Sequence, residues 1–281
     1  MKHIPVLLSS VLKALGDIEN KTIIDCTFGA GGYSKAFLAR GAKVIAFDRD
    51  PNVVPDAEKL VQQYGDKFQF FQQPFSNISQ LDLTVDAVVF DLGISSMQID
   101  VAQRGFSFRF DAPLDMRMGS NGVTAAEYIE NTDVAEISRI LREYSDIKMS
   151  GILARIIKDA LPKTTFELRN LINNPHDWAP VFQAFRIAVN DEIGEIERAM
   201  AAVPRLLNDG GKCLCVSFHS LEDRIIKNIF REWSTPPGDP HLPTVVEAPF
   251  ELMKVVEPSD SEIALNTRAR SAHMRGVIKT Y

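Results

Sequence analysis

The run Asp25-Cys26-Thr27-Phe28-Gly29-Ala30-Gly31-Gly32-Tyr33 joins a carboxylate to a cluster of glycines. Glycine lets a backbone turn sharply and leaves no Cβ between the main chain and a bound molecule, so such a turn suits a nucleotide-like cofactor. The dinucleotide pattern G-x-G-x-x-G is not met, because Ser34 stands at its third glycine. The G-x-G-G spacing is closer to a turn for S-adenosylmethionine (SAM), which has no pyrophosphate; a plain strand-to-helix turn is the bland alternative. Asp48 lies nineteen residues beyond Gly29. A carboxylate there can accept from both ribose hydroxyls of an adenosine, which serves NAD and SAM alike. Asp50 reads as solvated. Asp91, in Phe90-Asp91-Leu92-Gly93, is the third acid that follows an apolar run.

The elements that must position these acids alternate. Thr22–Asp25, Lys43–Phe47, Phe68–Phe71 and Ala87–Phe90 are β-rich, with helical spacing over Tyr33–Arg40 and Val53–Tyr64. Continuous apolar strands between helices predict an α/β fold with a parallel sheet covered on both faces. Ligands bind such sheets outside the carboxyl ends of the strands, where Asp25, Asp48 and Asp91 would gather. From Arg104 to Pro180 no buried strand is evident. Instead Thr124-x-x-Glu127, Asp133-x-x-Glu136 and Thr164-x-x-Glu167 read as helix starts. Phe185, Ala188, Val189, Ile193, Ile196, Met200 and Val203 form one apolar stripe and predict a single helix over Val181–Leu207, stopped by Asn208–Gly211. A strand over Lys212–Ser217, a helix over Leu221–Trp233 and a proline-rich loop at 234–243 follow. Residues 1–104 and 181–281 are thus expected to form one discontinuous domain, with 105–180 a helical insert.

Composition narrows the class. The 281 residues carry 31 Lys+Arg against 37 Asp+Glu, a formal charge of −6, with 45% hydrophobic residues. These values exclude a disordered or collagen-like chain. No apolar run is long enough to span a bilayer, and the opening Met1-Lys2-His3-Ile4-Pro5 is not a secretory signal, so the expected location is the cytoplasm with no membrane partner. Cys26, Cys213 and Cys215 form neither a disulfide framework nor a metal site, and no metal is expected. The acidic total argues against non-specific coating of nucleic acid but leaves room for a local basic patch.

Successive segments resemble motifs of the bacterial ribosomal RNA small-subunit methyltransferase H family (RsmH/MraW). They are Asp25–Gly32, Asp91-Leu92-Gly93-Ile94-Ser95-Ser96-Met97-Gln98, Arg104-Gly105-Phe106-Ser107-Phe108, Pro113-Leu114-Asp115-Met116-Arg117-Met118, Phe182–Asn190, Ser217-Phe218-His219-Ser220-Leu221-Glu222-Asp223-Arg224 and Arg268-Ala269-Arg270-Ser271. The resemblance implies a SAM-dependent, Rossmann-like methyltransferase fold with an inserted helical domain, residues 105–180, that faces the RNA. It also implies methylation of the N4 amine of a cytidine in 16S ribosomal RNA, with the small subunit as partner. The implied cofactor positions are Gly31, Gly32, Tyr33, Asp48, Phe75, Asp91 and Gln98. Tyr33 stands where the family usually has His; a phenol can still pack beside the cofactor and donate a hydrogen bond. Phe75 would pack on the adenine or serve the core.

A cytosine amine is a poor nucleophile, so the chemistry needs acceptors for its hydrogens and in-line placement of the methyl donor. The Asp91-Leu92-Gly93-Ile94 run lacks the prolines many amino-methyltransferases place there. Asp115 and His219 are therefore the candidate catalytic acceptors. Their bland alternatives are an ion pair of Asp115 with Arg117 or Arg109 and a helix cap by His219. Tyr128 is the candidate to stack on the base, or an inner residue of a small helix. Arg104, Arg109, Arg117 and the acid-free C-terminal group Arg268, Arg270, Arg275 and Lys279 are candidate phosphate contacts. The competing functions are a non-catalytic RNA-binding or ribosome-assembly factor on the same fold and an NAD-dependent oxidoreductase, the latter disfavoured by the missing third glycine.

Overall fold

The computed structural model describes residues 5–237 and 247–281; the opening residues 1–4 and residues 238–243 of the expected proline-rich loop lie outside the described residues. The chain divides into two units, Met1–Gly93 with Glu195–Tyr281, and Ile94–Gly194.

In the first unit the strands are β1 (Thr22–Asp25), β2 (Lys43–Phe47), β3 (Phe68–Phe71), β4 (Val85–Asp91), β5 (Leu207–Ser217), β6 (Phe250–Leu252) and β7 (His273–Lys279). Among the described residues they form one sheet in the order β3-β2-β1-β4-β5-β7-β6. The pairs from β3 through β5 are parallel, whereas β7 runs antiparallel to both β5 and β6. The strand order reverses between β1 and β4, so the crevice of this α/β sheet opens at their carboxyl ends. Both faces are covered, which is why β1, β2 and β4 are almost continuously apolar. Ile24, Phe47, Val88 and Phe90 pack with Ile196, Met200, Val203, Ile226 and Phe230. Cys26, Cys213 and Cys215 are buried free thiols and act as small core side chains.

Strands β6 and β7 are not legible in the sequence, where the acid-free stretch 268–281 reads as a solvated tail or, from the interleaved Ala269, Ala272 and Met274, as a packed one; those three side chains are buried. Two of the stretch's charges are drawn inward. Arg275 donates to both Asp223 oxygens, at 2.7 and 2.9 Å, and Lys279 Nζ donates to the carbonyls of Pro204 and Leu207. Two of the four phosphate contacts expected in the C-terminal group are therefore committed to holding β7 in the sheet.

The second unit is wider than the insert expected over 105–180. It starts at Ile94, before the helix Ser96–Asp100 that Ser95 and Gln98 cap reciprocally, and includes the helix Trp178–Asn190. That helix buries Val181, Phe182, Ala184 and Phe185 in the unit's own core, with Leu114, Met116, Ile129, Ile137, Ile140 and Leu141. Core membership, not the end of a capping pattern, sets the boundary. The three capping patterns do start helices: Thr124, Asp133 and Thr164 each accept the backbone N–H of the Glu three residues on. The single helix expected over Val181–Leu207 is two, Trp178–Asn190 and Glu192–Leu206, separated by Asp191 at φ 48°. The apolar stripe runs through the break because periodicity registers spacing, not one residue in the left-handed region that Asp tolerates.

Beside that break lies a buried polar knot. Arg186 pairs with Glu192 through Nε at 2.7 Å and Nη2 at 3.0 Å, with both side chains about one-tenth exposed. Asn190 accepts from Met118 N at 2.7 Å and donates to Met116 O and Arg186 O. Met116 itself sits at φ 61°, strained backbone for a bulky residue. Gly105 lets the Pro113–Met118 run cross closely, since a Cβ there would lie 2.4 Å from Pro113 O and 2.7 Å from Asp115 N. Three motif segments thus lock one another together. Asn190→Ala would strand Met118 N and Met116 O in the core, and thermal or urea unfolding should show a loss of about 2–4 kcal/mol.

Candidate active site

Asp48 staples the glycine turn to the end of β2. Its Oδ2 accepts from Gly29 N at 2.8 Å and its Oδ1 from Asp50 N at 2.9 Å. Phe28 N donates to Phe47 O on the same strand end. Thr27 Oγ1 accepts from Asp91 N at 2.7 Å, tying the turn to β4 as well. Gly31 caps the helix Gly32–Leu38 at φ 74°. At Gly32 the close approach belongs to the chain itself, because a Cβ there would meet Pro5 Cγ at 2.2 Å.

The three strand-end acids stand in this small region. Asp25 is buried, accepting from Ser34 Oγ at 2.6 Å and from Thr27 N. Burial pushes its carboxyl up to about 6, against the pull of those hydrogen bonds. Burial likewise raises Asp48 to about 6, again against its two backbone donors. Burial, then the nearby charges of Asp25 and Glu222, raises Asp91 well above the usual carboxylate range. Asp91 Oδ1 is shielded from solvent and has no hydrogen-bond partner among the described residues. Asp50, expected to be solvated, is instead buried, and its side chain caps the short turn at Pro51–Val53. A 3₁₀ turn that needs an N-terminal acceptor draws the carboxylate in.

The other expected cofactor residues are variously engaged. Tyr33 is buried, packs against Phe37, and its hydroxyl donates to the carbonyl of Val6. The proton of its hydroxyl is thus committed within the chain. The N-terminal segment is held at its far side by Leu7 N donating to Glu262 Oε1 at 2.5 Å. Nothing in the spacing signalled either bond, because both partners are more than twenty residues distant in sequence. Phe75 is half-buried, edge-on to Phe90 at 5.7 Å. Gln98 lies in the second unit, buried, with Oε1 accepting from Ser95 N at 3.0 Å in the capping box.

The two candidate acceptors belong to different units. Asp115 takes a bidentate pair from Arg117 Nε and Nη2, at 2.7 and 2.8 Å. Burial opposes its ionisation, but the Arg117 hydrogen bonds prevail and hold its carboxyl below the usual range. His219 caps the helix Ser220–Trp233: Nδ1 accepts from Glu222 N at 3.4 Å, and Nε2 faces Glu222 Oε1 at 2.9 Å. With Nδ1 accepting, the proton rests on Nε2 and points at the buried Glu222. Tyr128 is half-buried against the second unit's core. Arg104 donates to the carbonyls of Arg117 and Met118, and Arg117 is held by Asp115. Arg109, Arg268 and Arg270 are exposed.

Residues 1–280 match the MraW methylase family. The ribosomal RNA small subunit methyltransferase H of Mesorhizobium japonicum is 42% identical over 297 aligned residues, covering 100% of this chain and 88% of its own. The protein of the same name from a Caulobacter species is 43% identical, covering 99% of this chain and 93% of its own. That from Rickettsia canadensis is 41% identical, covering 99% and 98%.

The buried acids make stability depend on pH in a definite direction. A carboxyl raised by burial binds its proton more tightly in the folded chain, so stability is greatest with the proton on and falls as pH rises through the window from about 4 to about 6. For Asp25 that loss is on the order of 2–3 kcal/mol. Urea unfolding across that window should show the wild type losing stability with rising pH, and Asp25→Asn losing less. Parallel profiles for the two proteins would remove Asp25 from the account.

Proposed function

The chain belongs to the MraW methylase family, and we propose on that premise that it transfers a methyl group from SAM to the exocyclic N4 amine of a cytidine in the 16S RNA of the small ribosomal subunit. The observation that carries the choice of cofactor is the acid cluster at the strand ends, with Asp91 Oδ1 buried and unpartnered. Carboxylates that burial and mutual repulsion make costly are stabilised by a cation and repel an anion. SAM carries positive charge on its sulfonium and ammonium groups, whereas NAD brings a pyrophosphate. The residues present therefore fit SAM.

SAM supplies an electrophilic methyl group on a positively charged sulfur. The chain's part is to bind, orient and accept protons. In this reading the turn at Gly31 and Gly32 receives the cofactor, Asp48 accepts from its ribose hydroxyls, and Phe75 packs on its adenine. Asp91, Gln98 and the ring of Tyr33 complete the set. The carboxylate lone pairs of Asp48 not taken by Gly29 and Asp50 remain for the ribose. Asp115 and His219 are the groups we assign to the amine hydrogens. Arg117 keeps Asp115 ionised, and an ionised carboxylate is the stronger acceptor. His219 presents its Nε2 proton to Glu222, so it accepts from a substrate only through Nδ1, after the helix-cap bond from Glu222 N opens. Tyr128 and the guanidinium groups of Arg104, Arg109, Arg117, Arg268 and Arg270 are assigned to the RNA, and the second unit to its recognition. The helices among the described residues include none long and apolar enough to cross a membrane. With ribosomal RNA as substrate, we assign the activity to the cytoplasm.

Mass spectrometry of small-subunit rRNA nucleosides tests the reaction. Unmethylated subunits should gain N4-methylcytidine on incubation with the protein and SAM, and no gain would sink the reading in favour of a non-catalytic RNA-binding factor. Asp48→Ala should weaken SAM binding by about 1.5–3 kcal/mol in calorimetry, the scale of hydrogen bonds to a charged acceptor. Wild-type affinity in the folded variant would take Asp48 out of the site.

A further inference from the structure

The second unit displays an aromatic ring that its own packing leaves in water. Phe110 is 55% exposed, yet the chain on either side of it is fixed. Thr165 Oγ1 donates to Phe110 O at 2.6 Å and accepts from Ala112 N at 3.1 Å, while Thr165 N donates to Ala112 O at 2.9 Å. Phe166 N donates to Asp111 Oδ1, and Arg169 Nη1 donates to Phe108 O, both at 3.3 Å. Phe108 turns inward against Trp178 and Phe182. The loop is thus pinned with one phenylalanine in and the next aromatic out, and the exposure of Phe110 is built, not a product of slack.

The charges around it are sorted. Asp111 is engaged with Phe166 N, and Glu167 Oε2 accepts from Lys163 N and Thr164 N. The Arg109 side chain is exposed and has no partner among the described residues. Beside the loop, the Arg169 guanidinium lies 3.8 Å from the Phe166 ring centroid and 5.3 Å from that of Trp178. The local surface therefore offers π faces interleaved with positive charge.

We infer that the Ser107–Ala112 loop is a platform for single-stranded RNA, on which an unpaired base stacks against Phe110 and the adjoining phosphate meets Arg109. Stacking on an aromatic ring is open to every base and needs the strand unpaired, while the backbone charge needs a free cation nearby. A protein partner would want a broader apolar patch than one ring set between Arg109 and Asp111. Arg109 was expected from the sequence as a phosphate contact; Phe110 was not, because an aromatic in a loop reads as packing until its exposure is known. The inference rests on the ribosomal RNA reading above and adds where the strand is gripped.

Fluorescence anisotropy with a short labelled single-stranded oligocytidine, run beside the nucleoside assay, tests it. Phe110→Ala should weaken RNA binding by about five- to 100-fold. Phe110→Trp should keep the affinity, and Phe110→Leu, apolar but without a ring, should fall with the alanine variant. Arg109→Gln should reduce the slope of log affinity against log salt by about one. Melting temperature and SAM affinity should stay at wild-type values in all four variants. Wild-type RNA affinity in Phe110→Ala overturns the platform, as does full retention by Phe110→Leu, which would mark an apolar docking surface for protein. A wild type that fails to bind the oligonucleotide overturns it as well. If the wild type methylates rRNA while Phe110→Ala binds and methylates equally, the platform alone fails. If the wild type leaves rRNA unmethylated, the function reading fails, and the anisotropy comparison decides the platform by itself.

Discussion

Desolvated negative charge is the constraint on which the first unit depends. Parallel strands β1, β2 and β4 deliver Asp25, Asp48 and Asp91 to one end of the sheet, and the apolar layers on both faces deny them water. Each acid is handled differently. Asp25 is held by Ser34 and Thr27, Asp48 is spread over two backbone N–H groups, and Asp91 keeps one oxygen without a partner. The folded chain alone leaves this charge incompletely compensated, and a cationic ligand would complete it. The glycine turn is organised by the same charge, because Asp48 fixes Gly29 while Thr27 ties the turn to β4.

The second unit is governed by polar satisfaction inside an apolar core. Asn190 meets three backbone groups, and Arg186 meets Glu192 across a left-handed Asp191. Breaking one partner of such a knot exposes the others to an uncompensated interior, so its members constrain one another strongly. This gives several motif residues a structural explanation. Gly105 makes room for the Pro113–Met118 run, Arg104 holds the carbonyls of Arg117 and Met118, and Asn190 holds Met116 in strained backbone. Within the same framework, the loop at Ser107–Ala112 holds an exposed ring in place because Thr165 fixes the backbone at Phe110 and Ala112.

Much of this was legible in the residues themselves. Apolar runs ending in Asp specified the parallel strands and the end of the sheet where acids collect. Spacing of Thr or Asp to Glu specified three helix starts, because a cap is a contact between residues three apart. The α/β class followed from alternation, and the family followed from motifs long enough to be specific. What stayed hidden depended on partners far apart in sequence or on a single backbone angle. Asp191 breaks a helix without disturbing its apolar stripe, and Arg275 and Lys279 look like a basic tail until Asp223, Pro204 and Leu207 claim them. Tyr33 offers a free hydroxyl on paper and gives it to Val6 in the fold. The sequence by itself determined which groups carry chemistry and which local elements bear them, since those follow from residue type and short spacing. Only the tertiary structure decided which charges are already spent, because that depends on which distant donor or acceptor the fold brings within hydrogen-bond reach and on how far water is excluded there.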